Sequence, residues 1–457
     1  MNGNTAISQI ARHICTCDTN SILEQHRAIA RRRMMDVLGC AFGGAHAPGN
    51  QELLALLRQK GGKEESSVWV YGDRLPLEEA AMVNSVLCRS YDYEIMTPAH
   101  LYATLIPTAL AVGETCGSSL REVLDAVVLA SDLCARVVGA SGMDIPKGFD
   151  PVGTSTLLGA AAVAGRLMKA GEQQMLFAFG HALNMMCGSF ENMWAGATSF
   201  KFNQGWSSWC GIFAVKLAQI GWTAPTDALQ SSAGYYKLYT SNGCVNPAYL
   251  TEGLGHIFRD FVIEKPWPSC RFNHSAIQCV LQLKATHLFS PESIEKIIIS
   301  LPAFQTSLFV CAPFAVREYP LGDALFNMRF NTACALLYGE VKPHSYTEEV
   351  IRSPEIRRLA DRIEILPLPE GDGRAAAMEV RFLDGNHIET SLDHVKGDVP
   401  GSPMTDEELE SKFWYNLDFC GQAGRERGRA LLALCGGGET AEDLCRLIGR
   451  MTAQAEN

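Results

Sequence analysis

The sequence predicts a mainly α-helical protein that carries one α+β segment, and three observations lead there. Helical patterns fill the first half: residues 119–139 are apolar around most of the wheel, and residues 154–169 are rich in Ala, Gly and Leu. Strand composition appears only after residue 263, at 295–301, 306–312, 362–366, 377–383 and 387–392. Helical character returns after Pro400, where Thr405 ahead of Asp406, Glu407 and Glu408 makes a capping-box start. The chain thus divides into a helical part over 1–262, an α+β part over 263–395 inserted into it, and a helical return over 396–457.

Each element has a local reason. Ser118 or Ser119 caps the 119–139 helix. The small residues of 154–169 let neighbours approach closely, which marks a central packing helix, and 173–188 and 206–220 continue the series. In the inserted part, 273–289 and 326–339 read as helices, and Asp384-Gly385-Asn386 reads as a hairpin turn. Gly436-Gly437-Gly438 breaks the penultimate helix, and Thr440 caps the last one.

Composition narrows the function. With 457 residues, 47 % of them hydrophobic, the chain is globular and long enough for more than one core. A net charge of −11, from 39 basic and 50 acidic residues, disfavours nucleic acid and anionic membrane surfaces as partners. Sixteen cysteines form no C-x-x-C pair, and no signal or transit segment is visible. These point to free thiols in a reducing, cytoplasmic setting. No apolar run is long enough to cross a bilayer. Phosphate-binding glycine loops, zinc spacings and the G-x-S-x-G elbow are all missing from the sequence. What remains is acid–base chemistry on a small anion, without cofactor or metal.

Four constellations can carry that chemistry. Residues 91–107 place Asp92, Glu94 and His100 in a loop before an apolar helix; a carboxylate that fixes the tautomer makes such a His a general base. The plain alternative is a solvated loop. Residues 265–274 (KPWPSCRFNH) gather Lys265, Cys270, Arg271 and His274. This is either a cationic grip on carboxylates, with Arg271 bidentate and the Cys270 pKa lowered by its neighbour, or a stiff linker. Lys201 stands in a polar loop at a helix start, which favours an anion, although a lone Lys is usually a surface residue. Asp150, in the turn at 145–156, is a proton-transfer group or simply a helix cap.

Taken in order, these segments resemble the MmgE/PrpD family. The likeness runs through RRRMMDVLGCAFGG (31–44), EEAAMVNSVLCRSYDYE (78–94), AHLYATLIPTALAVGE (99–114), FDPVGTSTLLGAAAVAGRL (149–167), KPWPSCRFNHSAI (265–277) and KGDVPGSPMTDEELESKF (396–413). The resemblance implies a helical domain with a smaller α+β lid, a homodimer, and a metal-free site between the domains. Family members dehydrate 2-methylcitrate, decarboxylate cis-aconitate or epimerise iminodisuccinate. Asp92, His100 and Lys265 match the family's motif positions. Asp150 and Cys270 stand where decarboxylase-like members have His, Phe330 stands where a Tyr is expected, and Ile95 replaces a second Asp. Lys201 lies one residue nearer Gly205 than the usual spacing.

The resulting expectation is a lyase, foremost a dehydratase of a citrate-like, alkyl-bearing acid. His100 acts as base or acid oriented by Asp92; Lys201, Lys265 and Arg271 hold carboxylates. Cys270 is a second proton donor, and His274 and Asp150 line the substrate site. An epimerase or decarboxylase is the enzymatic alternative, and a non-catalytic metabolite binder is the other class.

Overall fold

The computed structural model describes residues 5–96, 99–143, 148–421 and 424–452. Residues 145–147 of the Asp150 turn lie outside that set. The fold is mainly α with an α+β portion, as the sequence predicts.

The helical portion grows from close-packed small residues. The Ser155–Leu167 helix lies at its centre, against Tyr102–Cys116, Leu120–Ala140, Glu172–Met185 and Phe202–Gln219. A Cβ on Gly159 would meet the Cys134 sulfur at 2.6 Å, and one on Gly211 would meet the Ala160 Cβ at 2.4 Å. Backbones this near leave no room for branched side chains. Ser119 closes the Leu120–Ala140 helix with a full capping box: its hydroxyl accepts from Glu122 N at 3.1 Å, and Ser119 N donates to the Glu122 carboxylate at 2.7 Å.

The C-terminal helices Asp406–Cys420, Arg425–Gly437 and Ala441–Thr452 pack on the same core. The first lies along Glu24–Gly43, where Gly39 faces Phe413 and Gly43 faces Asn416. Thr405 starts it with the capping box read from the sequence. Arg425–Gly437 runs through Gly436 and Gly437 and stops at Gly438, so the glycines end the helix later than expected.

A second core is built on a four-stranded sheet. Its spatial order is Ile363–Pro367, Ile294–Leu301, Ala376–Phe382 and His387–Leu392; the first pair is parallel and the others are antiparallel. The hairpin turns at Asp384–Asn386, where Gly385 takes φ +87°. Helix His274–Thr286 covers the sheet, and Met328–Tyr338 packs on that helix. One expected strand fails. Residues 306–312 form turns, with a short 3-10 helix at Phe309–Cys311, because Phe309, Val310 and Cys311 point into the second core instead of pairing along an edge. Their apolarity reports burial, which strand and turn share.

The two cores are stitched where the chain crosses between them. Ile263 bridges both Met96 and Asp398. Gly397, at φ +96°, lies so close to the Glu264 carbonyl that a Cβ there would sit 1.7 Å from its oxygen. Glu264 is pinned by Arg32 at 3.0 Å, Arg33 at 2.9 Å and Met404 N at 2.8 Å. All sixteen cysteines are free thiols, and no described helix is long and apolar enough to cross a membrane.

The contact at Gly211 gives a direct test of this packing. Gly211→Val should destabilise the protein by about 3 kcal/mol through overpacking, read as a lowered urea midpoint with an unchanged m-value.

Candidate active site

The crossing at 263–265 brings Lys265 beside Asp92. Arg89, the last residue of the buried Leu77–Arg89 helix, reaches the same carboxylate three residues on. Asp92 Oδ1 thus accepts from both the Arg89 guanidinium and the Lys265 ammonium. Lys265 Nζ also donates to the Asp92 carbonyl at 2.6 Å and the Ser269 carbonyl at 3.1 Å. Its three protons are therefore all engaged, which leaves only its field to reach beyond these partners. The Arg89 guanidinium lies 5.4 Å from the centre of the Phe200 ring, which closes the cluster on that side.

Three non-glycine residues at this point adopt left-handed or strained backbone: Asp92 at φ +49°, His100 at φ +49° and Ser269 at φ +120°. Each costs about 1–3 kcal/mol and persists only when its surroundings over-determine it. Gln204 supplies part of that restraint by donating to the His100 carbonyl at 2.8 Å.

His100 Nδ1 lies 2.7 Å from Glu94 Oε1 and 3.6 Å from Asp92 Oδ1. Glu94, rather than the expected Asp92, is therefore the orienting carboxylate. Glu94 Oε1 also accepts from Arg89 at 3.4 Å. Burial, reinforced by Arg89, holds the His100 pKa well below its usual 6.5. The ring is thus neutral at pH 7. Its Nδ1–H is assigned to Glu94 by this hydrogen bond, which leaves the Nε2 lone pair as the base. The His100 side chain keeps 12 % exposure, while Asp92 and Glu94 keep almost none. Ligand atoms of Asp92, Glu94 and His100 all lie within 4.8 Å of one another, close enough to hold a cation. Here Arg89 and Lys265 supply positive charge to the same carboxylates.

Asp150 caps the 151–153 turn by accepting from Val152 N at 3.0 Å, and it also accepts from Asn203 Nδ2 at 3.0 Å. Burial raises its pKa, against the Asn203 bond and the Arg89 charge. It is both cap and site neighbour, so the two readings of Asp150 are compatible.

Cys270 departs from expectation. Burial and the Asp92 charge push its thiol up to about 12, outweighing Lys265 and Arg89. It is a protonated thiol and not an activated thiolate. Arg271 also differs from the expected free grip. It pairs with Asp398 and donates to the Lys396 carbonyl at 2.7 Å and the Val395 carbonyl at 3.2 Å, so it clamps the returning chain. His274 is fully buried behind it, with Nδ1 3.2 Å from Arg271 and the ring on the edge of Trp267. Burial and Arg271 hold its pKa well below 6.5. His274 thus supports the wall of the site.

Lys201 stands apart from the Asp92 cluster. Its Nζ donates to the Pro48 carbonyl and to Asn50 Oδ1, each at 2.6 Å. Asn50 in turn donates to the Ser90 hydroxyl at 2.8 Å, one residue from Arg89. Burial lowers the Lys201 pKa to about 7. Phe330 packs against Phe314 and Tyr346, and the Tyr346 hydroxyl donates to the Pro268 carbonyl at 2.9 Å.

Sequence reasoning missed Arg89, Asn203, Gln204 and Tyr346. Arg89 left a usable signal: a basic residue ending an apolar helix, three and five positions ahead of two carboxylates. Asn203 and Gln204 left none, because polar residues near a helix start are usually solvated.

Comparison with known proteins identifies the family. The MmgE/PrpD N-terminal domain model matches residues 8–247, and the MmgE/PrpD C-terminal domain model matches residues 267–435. A cis-aconitate decarboxylase of Homo sapiens is 24 % identical over 409 residues, covering 85 % of this chain and 82 % of that protein. A cis-aconitate decarboxylase of Aspergillus terreus is 23 % identical over 434 residues, covering 88 % of this chain and 86 % of that protein. Matched over both of its halves, the chain belongs to the MmgE/PrpD family.

Proposed function

We propose that this protein is a lyase acting on a small polycarboxylic acid, and that it removes a proton next to a carboxylate and expels water. The observation that carries this reading is the state of His100. It is neutral, oriented by Glu94, and beside groups whose pKa values are pushed the other way. Environments that separate pKa values assign acid and base. His100 Nε2 takes the carbon-bound proton, and the electron pair passes toward the neighbouring carboxylate. Arg89 and Lys265 stabilise that charge through their field. The pair then forms the carbon–carbon double bond as the β-hydroxyl departs, and Cys270 or Asp150 protonates it to water.

The names of the related proteins support the lyase class and a carboxylic-acid substrate. They also favour a second reading, decarboxylation, in which carbon dioxide leaves and the residual carbanion is protonated. His100 arrives without a proton to give, so the Cys270 thiol is the donor in that case. The aromatic side chain of Phe330 and the carboxyl of Asp150 suit a less highly charged acid than cis-aconitate, one with an alkyl substituent.

Proton NMR in D2O with citrate-, alkylcitrate- and aconitate-type acids separates the readings. Dehydration of an alkylcitrate gives loss of a C–H signal, a new vinyl signal and a product lighter by one water. Cis-aconitate turning over best, with carbon dioxide lost, replaces the first reading by the second. His100→Gln should lower kcat by about 100-fold or more; unchanged turnover removes His100 from the mechanism.

The pH dependence follows from the depressed His100 pKa. The base form persists as pH falls past 6.5, so the acid limb of kcat/KM should lie well below that value. Stability has the same sign. Buried neutral His100 and His274 resist protons that the unfolded chain binds below about pH 6.5. Tm should therefore start to fall on acidification from there, before most carboxylates titrate; a flat Tm down to the carboxylate range contradicts this.

A further inference from the structure

A cavity of about 640 Å³ opens between the Asp406–Cys420 and His274–Thr286 helices, behind the loop that carries Asp92 and Glu94. Its volume lies within the range of small-molecule sites. Tyr93 lines it, while Asp92 and Glu94 on either side of Tyr93 turn to Arg89. Pro266 and Trp267, which follow Lys265, form a second wall. The Trp267 indole is held by an edge contact with the His274 ring at 5.4 Å, so the cavity has a fixed aromatic side. Leu281, Ala285 and Met404 complete the apolar lining.

The polar groups of this cavity are mostly donors. Gln278 Oε1 accepts from Lys396 N at 2.7 Å, and Gln282 Oε1 accepts from Thr390 Oγ1 at 3.1 Å. With both oxygens engaged, the two amides present their NH2 ends. Lys412 Nζ pairs with Asp36 at 2.6 Å and donates to the Tyr93 carbonyl at 2.5 Å, which leaves it a third proton. Lys342 Nζ lies 4.8 Å from the centre of the Tyr415 ring and has no ion pair among the described residues. Glu340, whose charge it feels, lies 3.3 Å from His344 Nε2. Burial lowers the Lys342 pKa against that charge, and Lys412 adds to the effect. Two acids stand at the mouth. Glu408 is taken by Lys396 Nζ at 2.8 Å and Thr405 N at 2.7 Å, and Glu407 is exposed to water. One ammonium is thus left without a counter-charge beside an apolar wall.

We infer that this cavity is a second ligand site, separate from the His100 site, and that it takes an organic anion with a planar apolar ring and a carboxylate or phosphate head. The head meets Lys342 and the NH2 ends of Gln278 and Gln282, and it supplies the missing charge. The ring lies on Trp267, beside Leu281, Ala285 and Met404. Charge and hydrogen bonding select this class. A cation meets Lys342 with no acid free except the solvated Glu407, and a neutral apolar molecule leaves buried donors unpaired. Because Lys412 bonds the Tyr93 carbonyl, the occupant rests on the back of the loop that holds Asp92 and Glu94.

Calorimetric titration of the full chain with phenyl phosphate and with benzoate tests the inference. Saturable binding of at least one probe is expected below about 10 mM, the range open to ligands of this size. The tighter probe identifies the head group. Lys342→Gln and Gln282→Glu should each weaken binding by about 10-fold or more. Gln282→Glu keeps an oxygen for Thr390, so it reads the site even if Lys342→Gln disturbs the turn at 343–346. Hydrogen exchange should slow at 278–285 and 404–412 when the probe is bound. No saturable binding of either probe, unchanged affinity in both variants, or protection confined to 99–106 around His100 would each overturn it.

Discussion

The structure hangs on a carboxylate shared between two cations. Asp92 Oδ1 takes protons from Arg89, at the end of a helix in the first core, and from Lys265, at the crossing toward the second. Buried charges are costly to desolvate, and a pair at this depth holds only because its remaining bonds are filled. Lys265 meets that condition with two backbone carbonyls. The strained turns at Asp92, His100 and Ser269 are all tethered to this knot, and so is the distance between the cores. Removing one partner leaves an uncompensated buried charge at a cost of about 3–5 kcal/mol.

Electrostatics here are local. A chain of net charge −11 builds its cationic point from residues far apart in sequence, and pairs them so that the field, not a free ammonium, faces the site. The same pairing explains His100. A neighbouring cation and a dry environment both oppose its protonation, while Glu94 fixes which nitrogen is bare. Lys412 repeats the pattern beneath the loop. It pairs with Asp36 at 2.6 Å, and Asp36 accepts from Ile95 N at 2.7 Å, so a second buried ion pair holds the turn from behind.

Much of the fold was legible because it is locally encoded. Ser119 and Thr405 sit three residues ahead of Glu, the geometry a capping box requires, and Asp384-Gly385-Asn386 meets the backbone demands of a tight hairpin. The Ala- and Gly-rich 155–167 stretch announced close helix packing. The errors came where burial and partner choice decide. Residues 306–312 are apolar because they face a core, a signal that does not separate strand from turn. Arg271 looked free because its partners, at 395–398, lie more than a hundred residues away. Cys270 beside Arg271 suggested a thiolate, but depth and the Asp92 charge reverse that inference. Lys201 was read as an anion clamp or a surface residue; it is not on the surface but buried against Pro48 and Asn50.

The stitching of the crossings at Met96, Ile263 and Asp398 has a further consequence. Arg89, Asp92, Glu94 and His100 come from one side of that stitch, and Lys265 and Cys270 from the other. Neither core alone carries a complete charge balance. A chain with one core folded and the other open holds Asp92 and Glu94 against Arg89 alone, with one negative charge left uncompensated.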